Sequence, residues 1–232
     1  MSEHAAPAAC PDDRSLTALM GAVVAVGTEW RCAHLTLSED PFYRRLAPGR
    51  ESEAVDFGLA AGWAAAAMTM EKWGREPEGI AAALQVPVGR SEAPAQTGRA
   101  VLFSEYGDRP PSITLHMRSI EEANRLIREH DLERMLGLSD VGPVHLAHEI
   151  YHHLESQRLT PGTAGFRIQT GRLGPLRFRT GLPSLSEIAA DRYAAALLGL
   201  SVPPKAIEFV TVYSLNPAYA WDLLARLEAL PS

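Results

Sequence analysis

Two histidines four residues apart constrain this chain more than any other feature of its sequence. The segment VHLAHEIYHHLE places Glu149 directly after His148, and His152 follows four positions after His148, which gives the pattern HExxH. On an α-helix, residues four apart lie about 40° apart around the axis and roughly 6 Å apart along it. Both imidazoles can therefore reach one ion at the zinc–nitrogen distance of about 2.0–2.1 Å. The segment predicts a helix that carries two metal ligands.

Glu149 is the candidate catalytic base, because it follows the first histidine by one residue and would project beside the ion. There it can accept a proton from water whose pKa zinc has lowered to about 7. The alternative is a polar surface helix that happens to carry several histidines. A third ligand elsewhere in the chain would decide between the two.

The segment SLSEIAADRYAAALLGL offers a candidate for that third ligand. Glu187 and Asp191 share one face of its predicted helix at a spacing of four. A catalytic zinc needs three protein ligands and keeps one position for water, and we expect Glu187 to complete the set with Zn²⁺ as the cofactor. Asp191 is then expected to accept the outer N–H of a ligand histidine and to fix its tautomer. Alternatively, Ser184 and Glu187 form a capping box at the start of this helix without any metal.

Composition excludes several other classes of protein. The net charge of −6 over 232 residues argues against direct nucleic-acid binding, which needs clustered Lys and Arg. The two cysteines, Cys10 and Cys32, are too few for a disulfide scaffold. The N-terminus does not resemble a secretory signal, and the longest apolar stretch, residues 58–70, is shorter than a bilayer span. We therefore expect a cytoplasmic protein that has no membrane partner.

The chain is predicted to have three parts: a disordered tail over residues 1–14, a helical region over 15–75, and a domain over 76–232 that contains both motifs. Ser119 and Glu122 suggest a capping box at the start of one helix in this domain. Helices are expected at residues 15–26, 51–73 (mostly buried), 77–84, 143–155, 187–199, 204–213 and 217–230, strands at 101–106 and 112–117, and a long connection at 156–183.

Taken together, the two motifs resemble the gluzincin metallopeptidases, and in particular the ImmA/IrrE family, over about residues 76–210. Members typically show H-E-x-x-H-H followed by E-x-x-A-N-x-F-A-A-x-L-L. The chain has Asp191 where Asn is common and Tyr193 where Phe is common. The matching residues are His148, Glu149, His152, His153, Glu187, Ala190, Ala194, Leu197 and Leu198.

The resemblance implies an α+β fold, a mostly helical zincin-like domain with a small β-sheet packed against the HExxH helix. It also implies a zinc-dependent hydrolase that cleaves a peptide bond in a peptide or protein, and known members cleave a transcriptional repressor. In that arrangement an edge strand lies beside the metal and pairs with an extended substrate; an ordinary sheet strand is the alternative. The residues expected on that strand are Ser112, Ile113, Thr114, Leu115 and His116.

Two functional alternatives remain at this point. One is a zincin-fold binding or regulatory module with a structural zinc and no turnover, and the other is a metal-free helical interaction protein. Among the other histidines, His145 shares a face with His148 and is expected to lie at the start of the helix or to support the ligands, with metal binding as the alternative. His153 is expected to point about 100° away from His152. Tyr151, Tyr213 and Tyr219 are candidate oxyanion donors by residue type alone.

Overall fold

The computed structural model describes residues 14–93, 96–97, 100–173 and 176–231. The predicted tail therefore lies outside the described residues, apart from Arg14. Within the described part, the protein is an α+β fold that is mostly helical and has small sheets, which confirms the predicted fold class. No helix in these residues is both long and apolar enough to cross a membrane.

The helices begin at the signals that the sequence offers. Ser15 and Thr28 accept hydrogen bonds from the first turns of the helices that follow them. Five later helices have a proline in the first turn, namely Pro77, Pro143, Pro183, Pro204 and Pro217. The α-helices are α1 (Leu16–Val26), α2 (Glu29–Ser38), α3 (Arg50–Trp73), α4 (Pro77–Ala83), α5 (Met117–Glu129), α6 (Glu133–Leu136), α7 (Gly142–Ser156), α8 (Pro183–Leu198), α9 (Pro204–Leu215) and α10 (Pro217–Glu228). A 3₁₀ turn spans Tyr43–Arg45.

In the part of the chain that the structure describes, the strands form three small sheets. Strands β1 (Val88–Ser91), β4 (Ser104–Asp108) and β5 (Pro111–His116) make one sheet, β2 (Gln96–Thr97) pairs with β3 (Ala100–Val101), and β6 (Ile168–Leu173) pairs with β7 (Leu176–Thr180). The β6–β7 hairpin lies in the segment that the sequence predicted as a plain connection. Met117 begins α5 instead of ending a strand, so Ser119 lies inside the helix and the capping box predicted there is wrong.

The predicted substrate-binding strand is the middle strand of its sheet, and that prediction is wrong. The order is β1-β5-β4, with β5 parallel to β1 and antiparallel to β4. A strand with a neighbour on each side has no edge left for a third partner. The prediction is thereby corrected for Ser112, Ile113, Thr114, Leu115 and His116.

Strand β4 is the edge of this sheet that lies along α7. Side chains two residues apart on β4 contact α7 side chains in the same order, so the strand and the helix run in the same direction. These contacts are Ser104 with Glu149, Tyr106 with His153, and Asp108 with Ser156.

Helices α3 and α8 pack closely because α3 presents glycines to α8. A Cβ at Gly62 would lie 2.2 Å from the backbone oxygen of Ala189, and one at Gly58 would lie 2.8 Å from Ile188 Cγ2. The long helix predicted at 51–73 is therefore confirmed, but only one face is buried and Trp63 is 51% exposed. Buried residues from α1, α7, α8 and α10 form one hydrophobic cluster, which includes residues from both sides of position 75. The predicted division of the chain into a helical region and a domain near residue 75 stays a prediction.

Candidate metal centre

Helices α7 and α8 bring the three predicted ligands together. His148 and His152 lie one turn apart on α7, and Glu187 lies in the first half of α8. One potential ligand atom from each of the three residues lies within 4.8 Å of the others. The sequence prediction of this residue set agrees with the observed cluster, and the described chain could hold a metal ion here.

The shortest separations between these groups are close to those between the ligands of a tetrahedral ion, although the two histidines approach different oxygens of Glu187. The two histidine Nε2 atoms are 3.1 Å apart, His148 Nε2 is 3.1 Å from Glu187 Oε2, and His152 Nε2 is 3.6 Å from Glu187 Oε1. Ligand bonds of about 2.05 Å in a tetrahedron give ligand–ligand separations of about 3.3 Å. The three groups are therefore close enough together to hold one metal ion.

Asp191 fixes the tautomer of His148. Its Oδ1 lies 3.0 Å from His148 Nδ1, and an ionised carboxylate can only accept a hydrogen bond. Nδ1 therefore carries the proton and donates it to Asp191. In the neutral ring the lone pair is then on Nε2, the atom that faces Glu187 and His152. This agrees with the prediction that Asp191 accepts the outer N–H of a ligand histidine.

Ser186 performs the same task for His152. Its Oγ lies 3.1 Å from His152 Nδ1 and donates its own proton to Glu155 Oε2. Because the hydroxyl proton is already committed, Ser186 accepts from His152, so His152 Nδ1 is protonated and Nε2 carries the lone pair. Two imidazole lone pairs and the Glu187 carboxylate thus converge, and only a cation or a proton satisfies all three.

The titration of the ligands reflects this convergence. Burial would lower the pKa of His148, but hydrogen bonds to Asp191 and Glu187 outweigh it and hold that pKa well above 6.5. Partial desolvation would raise the pKa of Glu187, but hydrogen bonds from the protonated rings of His148 and His152 outweigh it and lower that pKa below 4.5. Protons and metal ions therefore compete for the same three groups.

The capping-box alternative for Glu187 is wrong. Helix α8 begins at Pro183, and its N-cap residue Leu182 makes no side-chain cap. Within the described chain, the Ser184 hydroxyl has no hydrogen-bond partner, and the Ser184 backbone N–H donates to Asp40 Oδ2 at 3.0 Å. Glu187 is therefore inside the helix and its carboxylate is available to the two histidines.

The candidate base Glu149 is 6% exposed and is held by the edge strand. Ser104 Oγ donates to its Oε1 at 2.6 Å. Among the described residues no hydrogen bond involves Oε2, so this oxygen can accept a proton. No local sequence pattern indicates Ser104, because the contact joins positions 45 residues apart.

The remaining candidate residues lie away from the ligands. His145 stacks on Phe103 with ring centroids 4.1 Å apart, and burial lowers its pKa to about 3. His153 contacts Tyr106 through Nδ1 at 3.2 Å, as expected for a histidine on another face. Tyr151 is 0% exposed, so it cannot meet a substrate as an oxyanion donor.

The other two tyrosine candidates belong to the C-terminal helices. Tyr213 on α9 donates its hydroxyl proton to the backbone oxygen of Arg14 at 2.9 Å, and Tyr219 is 45% exposed on α10. The residues that sequence reasoning missed are Ser104, Ser186 and Glu155. Glu155 could have been found, because it continues the His148–His152 face three residues further along α7.

Comparisons of the chain with family models, with curated proteins and with solved structures found no match. The resemblance to the ImmA/IrrE family therefore stays a prediction.

We expect Asp191→Ala to weaken zinc binding by about 10- to 100-fold, because it frees the His148 ring to adopt the wrong tautomer. The dissociation constant is measured by competition with a chromogenic chelator. Asp222→Ala, at an exposed position on α10, is the matched control and should bind zinc like the wild type. Equal affinities in all three proteins would contradict the role of Asp191.

Proposed function

We propose that this chain is a zinc-dependent metallopeptidase of the gluzincin type, related to the ImmA/IrrE family, in which His148, His152 and Glu187 bind the ion. The observation that carries the proposal is the convergence of three acceptor groups, with one ligand atom of each within 4.8 Å of the others and with both histidine tautomers set by hydrogen bonds to neighbouring residues. Three protein ligands rather than four are typical of catalytic zinc sites.

The accessibility of the site favours a catalytic zinc over a structural zinc without turnover. The Glu187 side chain is 53% exposed, whereas the side chains of His148 and His152 are 17% and 18% exposed. The centre is therefore open on the side of the carboxylate, where a substrate can approach. A structural zinc without turnover also has no need for a carboxylate next to its ligand His148, where Glu149 lies.

Glu149 would act as the general base and then as the general acid. When bound, zinc supplies Lewis-acid activation of water and of the scissile carbonyl. Glu149 takes one proton from the attacking water as the new C–O bond forms, and it delivers that proton to the amine nitrogen as the C–N bond breaks. The Ser104 hydroxyl keeps the carboxylate in place during both transfers.

We assign substrate binding to β4, the edge strand. The His116 backbone N–H of β5 donates to the Phe103 backbone oxygen. In an antiparallel pair every second residue makes such bonds, so Glu105 and Gly107 also bond to β5 through their backbones. The N–H and C=O groups of Ser104 and Tyr106 therefore point away from β5. An extended peptide could pair with them, and this makes a flexible segment of a protein, such as a repressor, a suitable substrate in the cytoplasm.

The proposal is tested by loading the metal-free protein with zinc and incubating it with casein and with a library of unstructured peptides. We expect one zinc per chain, new peptide termini in mass spectra, loss of cleavage with a chelator, and recovery with added zinc. Glu187→Ala is the control and should lose both zinc and cleavage. A wild-type protein that binds no zinc would refute the metal centre, and one that binds zinc tightly without cleavage would favour a regulatory module.

A further inference from the structure

We propose that Glu155 is a positioning residue that selects the metal-binding tautomer of His152 through the hydroxyl of Ser186. This inference rests on the proposed zinc centre, and it concerns how that centre is kept ready for the ion. Glu155 does not touch the three ligand groups at their metal-facing atoms. Its effect is carried by the direction of one hydrogen bond.

The two oxygens of Glu155 have different partners. Oε1 accepts from the backbone N–H of Thr163 at 2.6 Å, from the Thr163 hydroxyl at 2.7 Å and, more weakly, from the Tyr151 hydroxyl at 3.5 Å. Oε2 accepts from the Ser186 hydroxyl. The carboxylate is therefore surrounded by donors and imposes a direction on each hydrogen bond that it receives.

The direction at Ser186 determines where the His152 proton lies. A hydroxyl has one proton, and Ser186 gives that proton to Glu155, so its oxygen accepts from His152 Nδ1. If the hydroxyl instead donated to Nδ1, the neutral ring would carry its proton on Nε2. That proton would point at His148 Nε2, 3.1 Å away, and would block the ion.

Glutamine at position 155 is expected to reverse this chain of hydrogen bonds. The amide oxygen would take the Oε1 position, because the Thr163 N–H and hydroxyl donate there. The amide NH₂ would then face Ser186 and donate to it. Ser186 would turn its proton towards His152 Nδ1, and His152 would change to the tautomer that cannot bind zinc.

Glu155 has a second role that the experiment must separate from this one. It anchors the loop after α7, where Gly162 adopts φ +62° and a Cβ at Gly162 would lie 2.9 Å from Glu155 Oε1. Loss of that anchor would lower the stability of the loop without any effect on the His152 proton. Thr163→Val removes the hydroxyl donor to Oε1 and leaves Ser186 untouched, so it isolates the anchoring role.

The test is a double-mutant cycle on the zinc dissociation constant of the full chain, measured with a competing chelator. We expect Glu155→Gln to weaken zinc binding by about 10- to 100-fold, Ser186→Ala to weaken it less, and Thr163→Val to leave it unchanged. The double variant should bind zinc like Ser186→Ala alone. Without the Ser186 hydroxyl, the amide at position 155 cannot change the direction of the hydrogen bond to His152. Wild-type affinity in Glu155→Gln, or a Glu155→Gln loss that persists in the Ser186→Ala background, would overturn the proposal.

A second readout does not depend on zinc. In the metal-free protein, the ¹⁵N chemical shifts of His152 should indicate a protonated Nδ1 in the wild type and in Thr163→Val, and a protonated Nε2 in Glu155→Gln. The same Nε2 signal in the wild type would overturn the assignment. If the wild type bound no zinc while the shifts changed as described, the proposed function would fail and the role of Glu155 would stand.

Discussion

Glu149→Gln is expected to reduce peptide cleavage by about 10²- to 10⁴-fold, the usual contribution of general acid–base catalysis. Glutamine has the same volume and its oxygen can still accept from Ser104, whose hydroxyl lies 2.6 Å from Oε1 in the wild type. It cannot take a proton from water. Because position 149 contributes no metal ligand, the bound zinc should remain at the wild-type level.

Cleavage rate and zinc content are measured on the same preparation. Glu228→Gln, which changes an exposed carboxylate on α10, is the matched control and should cleave like the wild type. Cleavage by Glu149→Gln at the wild-type rate would refute the assigned base. A variant that had lost its zinc would assign Glu149 a structural role instead.

Gly62→Ala is expected to lower the free energy of unfolding by about 1–3 kcal/mol, the range for an overpacked core. The added Cβ would lie 2.2 Å from the Ala189 oxygen and 2.8 Å from Arg192 Cβ, and the first of these is backbone that cannot turn aside. Helix α8 must therefore move. Ala189 lies between Glu187 and Asp191 on that helix, so zinc affinity should fall together with stability.

Gly21→Ala is the control for this substitution. Gly21 lies inside α1, and a Cβ there would meet no atom of the described residues within 4 Å. Alanine is favoured over glycine inside a helix by about 1 kcal/mol, so this variant should be as stable as the wild type or more stable. Both are followed by chemical denaturation and by zinc titration. Equal stability of Gly62→Ala and the wild type would contradict the close packing of α3 on α8.

The metal ligands could be predicted from the sequence because their geometry is local. The spacing of His148 and His152 on one helix needs no tertiary information, and the partner helix repeats the same periodicity with Glu187 and Asp191. The structure brings these groups together as expected. Short cap patterns were a poorer guide, since Ser119 and Ser184 lie inside helices that begin earlier.

The edge strand and the supporting hydroxyls could not be predicted in this way. Whether β5 lies at an edge depends on the short strand β1, which pairs with it from a distant part of the sequence. Ser104 contacts Glu149 across 45 positions and Ser186 contacts Glu155 across 31. A single hydrogen bond of this kind leaves no periodic pattern in a sequence.

The side-by-side alignment of β4 and α7 has a consequence for which proteins such an enzyme could cut. Two strand residues advance about 6.7 Å and four helix residues about 6 Å, so a peptide paired with the strand would run along α7 in the same direction or directly against it. Main-chain pairing does not distinguish one side chain from another. Vulnerability to cleavage would then follow from local unfolding in the target, and a well-folded protein would be spared until several consecutive residues became extended and exposed.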